Sequence, residues 1–237
     1  MEKPPKAEAP RVVGPSGPSL STGFTELDSM LAGGLPERYA IALVSPSFDE
    51  RDLLVRRIIE SSVNSGKPTF LLSNDTARTL DLVNRFANNF YALNPLAEKI
   101  ASARPNLFKI PDVAELSNLN ITSGKIIESK VKGEPTKLIV IDFLSDILLR
   151  NKALTTRKWL SDFAAKRKAE GFTILATLDP TIAPKEEIQT IIGVFDGLIE
   201  IYEKPLQERA RRFLVIKKMY GRGYSESELM LDKQKLL

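Results

Sequence analysis

The chain has 237 residues, of which 43% are hydrophobic and 27% charged, so it is long and apolar enough for one globular domain with a sizeable core. It contains no cysteine and no histidine, which excludes disulfides, thiolate nucleophiles, Cys/His zinc sites and Ser-His-Asp catalysis, and any metal would need carboxylates. The formal net charge of +4 permits contact with nucleic acid without requiring it, and the absence of a long apolar run or a leader pattern predicts a soluble, cytoplasmic protein with no membrane contact.

The N-terminal residues 1–19 are predicted to form a flexible, proline-rich tail. Five prolines occur in the first 18 residues, together with Gly14 and Gly17, and no hydrophobic period is present. From Leu20 onward short apolar runs alternate with amphipathic stretches, without a sign of a second boundary. We therefore expect residues 20–237 to form a single domain.

Apolar runs predict strands, and segments of helical period lie between the first four of them. The predicted strands are Tyr39–Ser45, Thr69–Ser73, Leu138–Asp142, Thr173–Leu178, Gly197–Tyr202 and Arg212–Lys217. The predicted helices are approximately Glu50–Ser65, Thr76–Leu93, Val113–Val131 and Thr155–Glu170. This alternation predicts an α/β fold with a mostly parallel central sheet flanked by helices, and the short link between the last two strands predicts a C-terminal antiparallel hairpin.

The first strand runs into its helix through a loop whose chemistry is wrong for its position. A phosphate-binding loop in a βα unit needs glycines whose backbone N–H groups converge on the anion, followed by Lys and Ser/Thr. This loop contains Phe48, Asp49, Glu50, Arg51 and Asp52 instead. Its carboxylates would repel phosphate.

Two entry motifs and the order of the strands carry a family resemblance. Residues 21–28 read STGFTELD and residues 31–36 read LAGGLP, followed by the LIVID strand at 138–142 and by KKMYG at 217–221. This pattern resembles the RecA/RadA superfamily, most closely its KaiC-like ATPase domain, over about residues 20–232. The resemblance implies a RecA-like P-loop NTPase fold and suggests an archaeal single-domain paralogue.

Aligned with the family's phosphate loop, this chain has lost the residues that define it. The family's GPPGTGKTTL falls on residues 45–54, beginning at Ser45, and all three glycines are missing. Arg51 stands at the lysine position and Asp52 at the Mg²⁺-binding hydroxyl. The resemblance therefore implies a degenerate nucleotide site with no catalytic residues, in which ATP and Mg²⁺ are not expected to bind.

The other positions that the family uses are altered as well. Asp75 is the only acid where the family has paired Glu, and Tyr220 replaces the arginine of the family's "KMRG" motif. Asp142, at the end of its strand, is either a Mg²⁺-associated carboxylate or an inherited residue that caps a helix or pairs with Arg51. From position alone we expect Arg51 to pair with Asp142 or Asp75 in place of a nucleotide.

Basic residues gather on and around the predicted hairpin, with only Glu208 against them. They are Lys204, Arg209, Arg211, Arg212, Lys217, Lys218 and Arg222. Such a run is typical either of a surface that binds nucleic acid or an acidic protein, or of a sheet edge protected against aggregation.

Three functions follow as expectations. The first is a catalytically inactive pseudo-ATPase that works as a scaffold or regulatory partner, binding a related active ATPase or a second copy of itself. The second is a divergent nucleotide-binding protein or weak ATPase, and the third is a recombination mediator that contacts DNA through the hairpin.

Overall fold

The computed structural model describes residues 17–100, 104–131, 133, 136–206 and 209–237, with only the backbone of Ile100 and Arg209. The strands are β1 (Ser19–Leu20), β2 (Leu35–Pro36), β3 (Ala40–Val44), β4 (Thr69–Leu72), β5 (Phe90–Asn94), β6 (Leu107–Lys109), β7 (Lys137–Ile141), β8 (Phe172–Leu178), β9 (Gly197–Leu206), β10 (Arg209–Met219) and β11 (Leu229–Leu231). The helices are α1 (Thr25–Met30), α2 (Asp49–Asn64), α3 (Thr76–Arg85), α4 (Ala97–Ile100), α5 (Leu116–Lys130), α6 (Leu144–Asn151), α7 (Ala153–Ala169), α8 (Lys185–Ile192) and α9 (Lys233–Leu236).

Nine of these strands form one sheet in the order β11-β10-β9-β3-β8-β7-β4-β5-β6. The seven strands from β9 to β6 run parallel, whereas β10 pairs antiparallel with both β9 and β11. The predicted fold class is therefore confirmed, including the C-terminal antiparallel hairpin.

Helices cover both faces of the parallel part, which explains why its central strands are apolar throughout. Every residue of β3, β4, β7 and β8 is buried. One core contains α2 and α3 packed on the sheet, and the other contains α5, α6, α7 and α8. A strand buried on both faces has no solvent side on which polar residues would alternate.

The first entry motif folds around one carboxylate. Asp28 accepts hydrogen bonds from the backbone N–H of Thr22 (2.8 Å), from the Thr22 hydroxyl (2.6 Å) and from Ser21 (2.6 Å). The second motif supplies Gly34, whose φ of +113° favours glycine, beside the β1–β2 pair. These residues have a structural role that requires no ligand.

One predicted helix is wrong in its second half. The sequence indicated Thr76–Leu93 because its apolar side chains recur at helical spacing, but α3 ends at Arg85 and β5 follows at Phe90. Asn89 between them has φ +60°, a left-handed conformation that Asn tolerates and that ends helical continuation. The six predicted strands are confirmed in position.

The predicted tail, residues 1–19, falls mostly outside the described residues, which begin at Gly17, and β1 already includes Ser19. None of the described helices is both long enough and apolar enough to cross a lipid bilayer.

Candidate functional site at the carboxyl edge of the sheet

The altered loop lies where β3 ends and α2 begins, at the carboxyl edge of the sheet, where open α/β folds bind ligands. Ser45 is fully buried and extends the strand pairing, since its backbone N–H donates to the carbonyl of Leu178 (3.0 Å). Phe48 is the N-cap residue of α2 and makes no side-chain capping bond. Its own N–H donates to the carbonyl of Pro46 (2.8 Å), so this amide points into the loop.

Acidic side chains occupy the first turn of α2, where a phosphate would sit in a phosphate-binding loop. They are Asp49, Glu50 and Asp52. Negative charge near a helix N-terminus is favourable because of the helix dipole and the free N–H groups. In this chain, acidic side chains of the helix itself supply that negative charge.

The C-terminal strands and helix cover the same loop from one side. The guanidinium carbon of Arg212 lies 4.2 Å from the centre of the Phe48 ring, a close cation–π contact. Lys233 of α9 pairs with Asp49 at 2.5 Å, and hydrogen bonding to Lys233 lowers the pKa of Asp49. The Phe48 ring and the Asp49 carboxylate therefore both contact cationic side chains from the C-terminal part of the chain.

Arg78, in the first turn of α3, lies among three carboxylates at the sheet edge. Its nitrogens lie 2.9 Å from Asp142, 3.1 Å from Asp52 and 3.6 Å from Asp75. The Arg78 side chain is only 13% exposed. Burial lowers the pKa of Arg78, but the three carboxylates outweigh it and the pKa is raised overall, so the group remains a cation.

Asp142 is the most buried acid of this cluster, with a side chain 8% exposed. Besides Arg78, it accepts hydrogen bonds from Thr177 (3.0 Å) and Ser73 (3.1 Å). Burial raises the pKa of Asp142, whereas Arg78 and these hydroxyl groups act against that rise. Asp142 is therefore a fully hydrogen-bonded, buried carboxylate whose charge depends on Arg78.

The expected pairing of Arg51 with Asp142 or Asp75 is wrong. Arg51 bonds to the next residue, Asp52, with its Nε at 2.9 Å and a terminal nitrogen at 2.8 Å. Arg51 still lies near enough to oppose the rise that burial causes in the pKa of Asp142. The guanidinium that bridges the carboxylates comes from α3, because that helix begins at the same edge one strand away.

Asp75 is the N-cap residue of α3 and accepts a hydrogen bond from the backbone N–H of Arg78 (2.9 Å). A capping carboxylate of this kind stabilises its helix by about 1 kcal/mol. Asp75 thus both begins α3 and contacts the side chain of Arg78, and this capping role requires no bound water or nucleotide.

The basic residues of the hairpin do not form one surface. Cross-strand neighbours share a face, so Lys204 and Arg211 lie on one face, while Arg212 and Glu203 lie on the other. Carboxylates other than Glu208 accompany them: Lys204 pairs with Glu228 (2.6 Å), Arg212 with Glu203, and Lys217 with Glu200 (3.8 Å). The expectation that only Glu208 opposes the basic run is wrong, and Glu208 itself lies outside the described residues.

The remaining basic residues are spread around the hairpin. Lys218 donates to the carbonyl of Phe195 (2.5 Å), and Arg222 lies 5.9 Å from the centre of the Tyr39 ring. The side chain of Arg209 lies outside the described residues. Tyr220, which replaces the arginine of the motif, is exposed.

The fold and this edge together define an α/β protein of the RecA-like class. A model of the family described as "ATPase: KaiC" matches residues 20–233, and the chain belongs to that family. The crystal structure of a KaiC-like protein from the hyperthermophilic archaeon Pyrococcus horikoshii OT3 is similar, with a TM-score of 0.66, 17% identity, and coverage of 90% of this chain and 93% of that one. No curated protein matches the sequence.

Proposed function

We propose that the chain is a catalytically inactive member of its family, which acts as a scaffold or regulatory partner of another protein. The observation that carries this proposal is the position of Arg78. Its guanidinium contacts the carboxylate at the end of β7, the carboxylate in the first turn of α2 and the cap of α3. A metal ion with a bound triphosphate would need the same carboxylates and the same space.

The charge balance of the loop supports the proposal. Asp49, Glu50 and Asp52 lie at the start of α2, and a triphosphate there would meet three like charges. Like charges about 4 Å apart repel by roughly 4 kcal/mol per pair at an effective dielectric constant near 20. The nearby cations are already held by these acids, Arg51 by Asp52 and Lys233 by Asp49.

One face of the hairpin provides a surface for a partner. We call it the hairpin face, and it consists of Tyr202, Leu206, Phe213 and Met230, which the strand register places on one side of β9, β10 and β11. The rings of Tyr202 and Phe213 stack at 6.4 Å, and the side chains of Leu206 and Met230 are 48% and 47% exposed. An apolar centre with Lys204, Glu200 and Glu228 around it has the composition of a protein interface. The partner that we propose is a chain of the same fold, either a second copy or a related active ATPase.

Nucleotide binding tests the first part of the proposal. Calorimetric titration with Mg²⁺ and ATP should give no saturable binding that depends on Arg51, and the purified chain should release no phosphate from ATP. Arg51→Ala is the informative variant because Arg51 stands at the lysine position of the loop. Micromolar binding that this substitution abolishes would establish instead the competing function of a divergent nucleotide-binding protein.

Light scattering and co-purification test the partner. The Met230→Asp substitution places a charge on the edge-strand side of the hairpin face, next to Phe213, and should dissociate a self-complex or remove the co-purified ATPase. Leu154→Asp is a matched control, because Leu154, like Met230, is an exposed apolar side chain but lies on α7, away from the hairpin face. Equal association of the wild type and Met230→Asp would eliminate the hairpin face as the interface.

A further inference from the structure

A groove of about 530 Å³ runs along α2, beyond its acidic first turn. Its walls come from α2, the end of α3, the loop after β1 and the C-terminal residues. The lining includes Leu53, Arg56, Arg57, Glu60, Arg85 and Leu236. Small-molecule sites in proteins typically have volumes of about 300 to 1,000 Å³. The groove is thus large enough for a ligand of mononucleotide size.

The charged residues of this groove are mostly cationic. Glu60 is the only side-chain carboxylate among the described lining residues. It pairs with two arginines through the same oxygen atom: Nε of Arg56 lies 2.9 Å and a terminal nitrogen of Arg85 lies 2.8 Å from Oε1. Arg56 reaches a second acid, Asp81, at 2.8 Å, outside the groove lining. Against the three arginines stand Glu60 and the terminal carboxylate of Leu237, so an excess of one positive charge remains along the wall.

Arg57 contributes most to that excess. Its Nε donates to the carbonyl of Gly23 (2.5 Å) and a terminal nitrogen donates to the carbonyl of Lys235 (3.0 Å), whereas no described carboxylate lies within salt-bridge distance. The acid whose pKa it helps to lower, Glu26, is bound by Lys235. Arg57 is thus held in a fixed orientation by neutral carbonyl groups, and its charge is not neutralised.

We propose that this groove binds a phosphorylated small molecule. A guanidinium fork matches phosphate geometry, and Arg57 is already oriented, so binding a phosphate there costs less conformational entropy. Ser61 and Asn64 also line the groove, and their hydroxyl and amide groups can act as further donors. Leu53 and Leu236 contribute apolar side chains for the rest of the ligand, and none of the sheet-edge carboxylates Asp52, Asp75 and Asp142 lines the groove.

Titration calorimetry of the full chain with pyrophosphate and with ADP, without divalent cations, tests this site. Both probes should bind saturably to the wild type, and Arg85→Ala should weaken binding about tenfold by removing one charge-assisted contact. Arg85 is 52% exposed, so its loss should leave the fold intact. Arg150→Ala is the matched control, since Arg150 is an exposed arginine on α6.

Two results would overturn the inference. One is the absence of saturable binding to the wild type up to about 10 mM probe, which leaves less than 3 kcal/mol of binding free energy. The other is an affinity that neither Arg85→Ala nor Arg57→Gln changes. If Arg51→Ala abolished ADP binding while Arg85→Ala did not, the nucleotide would occupy the sheet edge and the proposed function would fail as well. If neither pyrophosphate nor ADP bound, only the proposal that the groove is a binding site would be overturned, and the proposed function would stand.

Discussion

Replacing Arg78 with alanine should strongly destabilise the protein. Asp142 would remain buried among apolar strands without its main counter-charge, and breaking a buried pair costs about 3 to 5 kcal/mol. We expect about 3 kcal/mol, because the Thr177 and Ser73 bonds remain and Arg51 still lies nearby. The pairs with Asp52 and Asp75 add at most about 1 kcal/mol each, since those carboxylates are more exposed.

The same variant should depend on pH in a definite direction. Burial already raises the pKa of Asp142, and loss of the Arg78 cation should raise it further. When the folded-state pKa of an acid lies above the unfolded value, protonation favours the folded state, and this contribution is lost as the pH rises through the folded pKa. The destabilisation by Arg78→Ala should therefore be largest near pH 7 and shrink as the pH falls through the raised folded-state pKa of Asp142 toward the lower pKa of an unfolded aspartate.

Urea unfolding followed by circular dichroism measures both effects. With a slope of about 3 kcal/mol per molar urea, the midpoint of Arg78→Ala should fall by about 1 M at neutral pH. Arg85→Ala removes an exposed pair and should change the free energy of unfolding by less than about 1 kcal/mol. The double variant Arg78→Ala/Asp142→Asn should recover part of the loss, because it removes the buried charge. A loss that is the same at every pH, or that the double variant does not reduce, would refute this account of Arg78.

Three further outcomes are expected. Gly34→Ala should cost more than about 1 kcal/mol in thermal unfolding, because a Cβ there would overlap the carbonyl of Leu20, whereas Gly133→Ala, also at positive φ but in open space, should cost less; equal losses would contradict the steric reason. Trp159→Phe should lower the free energy of unfolding by less than is usual for a shortened core side chain, because the buried indole N–H has no acceptor among the described residues. A decrease of more than about 3 kcal/mol would show that the N–H has a hydrogen-bond partner in the wild type. Fluorescence anisotropy should show only weak binding of duplex DNA at physiological salt, and Arg211→Ala should change the salt dependence of that binding little. A tight complex that loses affinity in Arg211→Ala would contradict this expectation.

Most strands of the sheet could be predicted from the sequence, because the central strands are buried on both faces and therefore appear as continuous apolar runs. It failed at β5, where Phe90 and Leu93 continue the apolar spacing of α3 by coincidence. The pair Asn88-Asn89 was the available signal, since Asn favours the left-handed turn that separates the two elements.

At the candidate site, position in the chain indicated the acids Asp75 and Asp142 but not their partner. Arg78 was missed, although a cation in the first turn of a helix opposes the helix dipole and so needs nearby carboxylates. The faces of the hairpin were also predictable, because Arg211 and Arg212 are adjacent in a strand and must point to opposite sides. The ion pairs with Glu200 and Glu228 depend on register and on β11, which the sequence did not indicate.

The cation among the carboxylates at the sheet edge is part of the polypeptide. A diffusible ion or nucleotide occupies such an edge to an extent set by its concentration, and a protein can report that concentration by changing shape. A guanidinium tethered three residues from Asp75 has a local concentration that solution conditions do not change. The positive charge beside Asp142 is therefore supplied by the polypeptide itself and does not depend on the supply of a ligand.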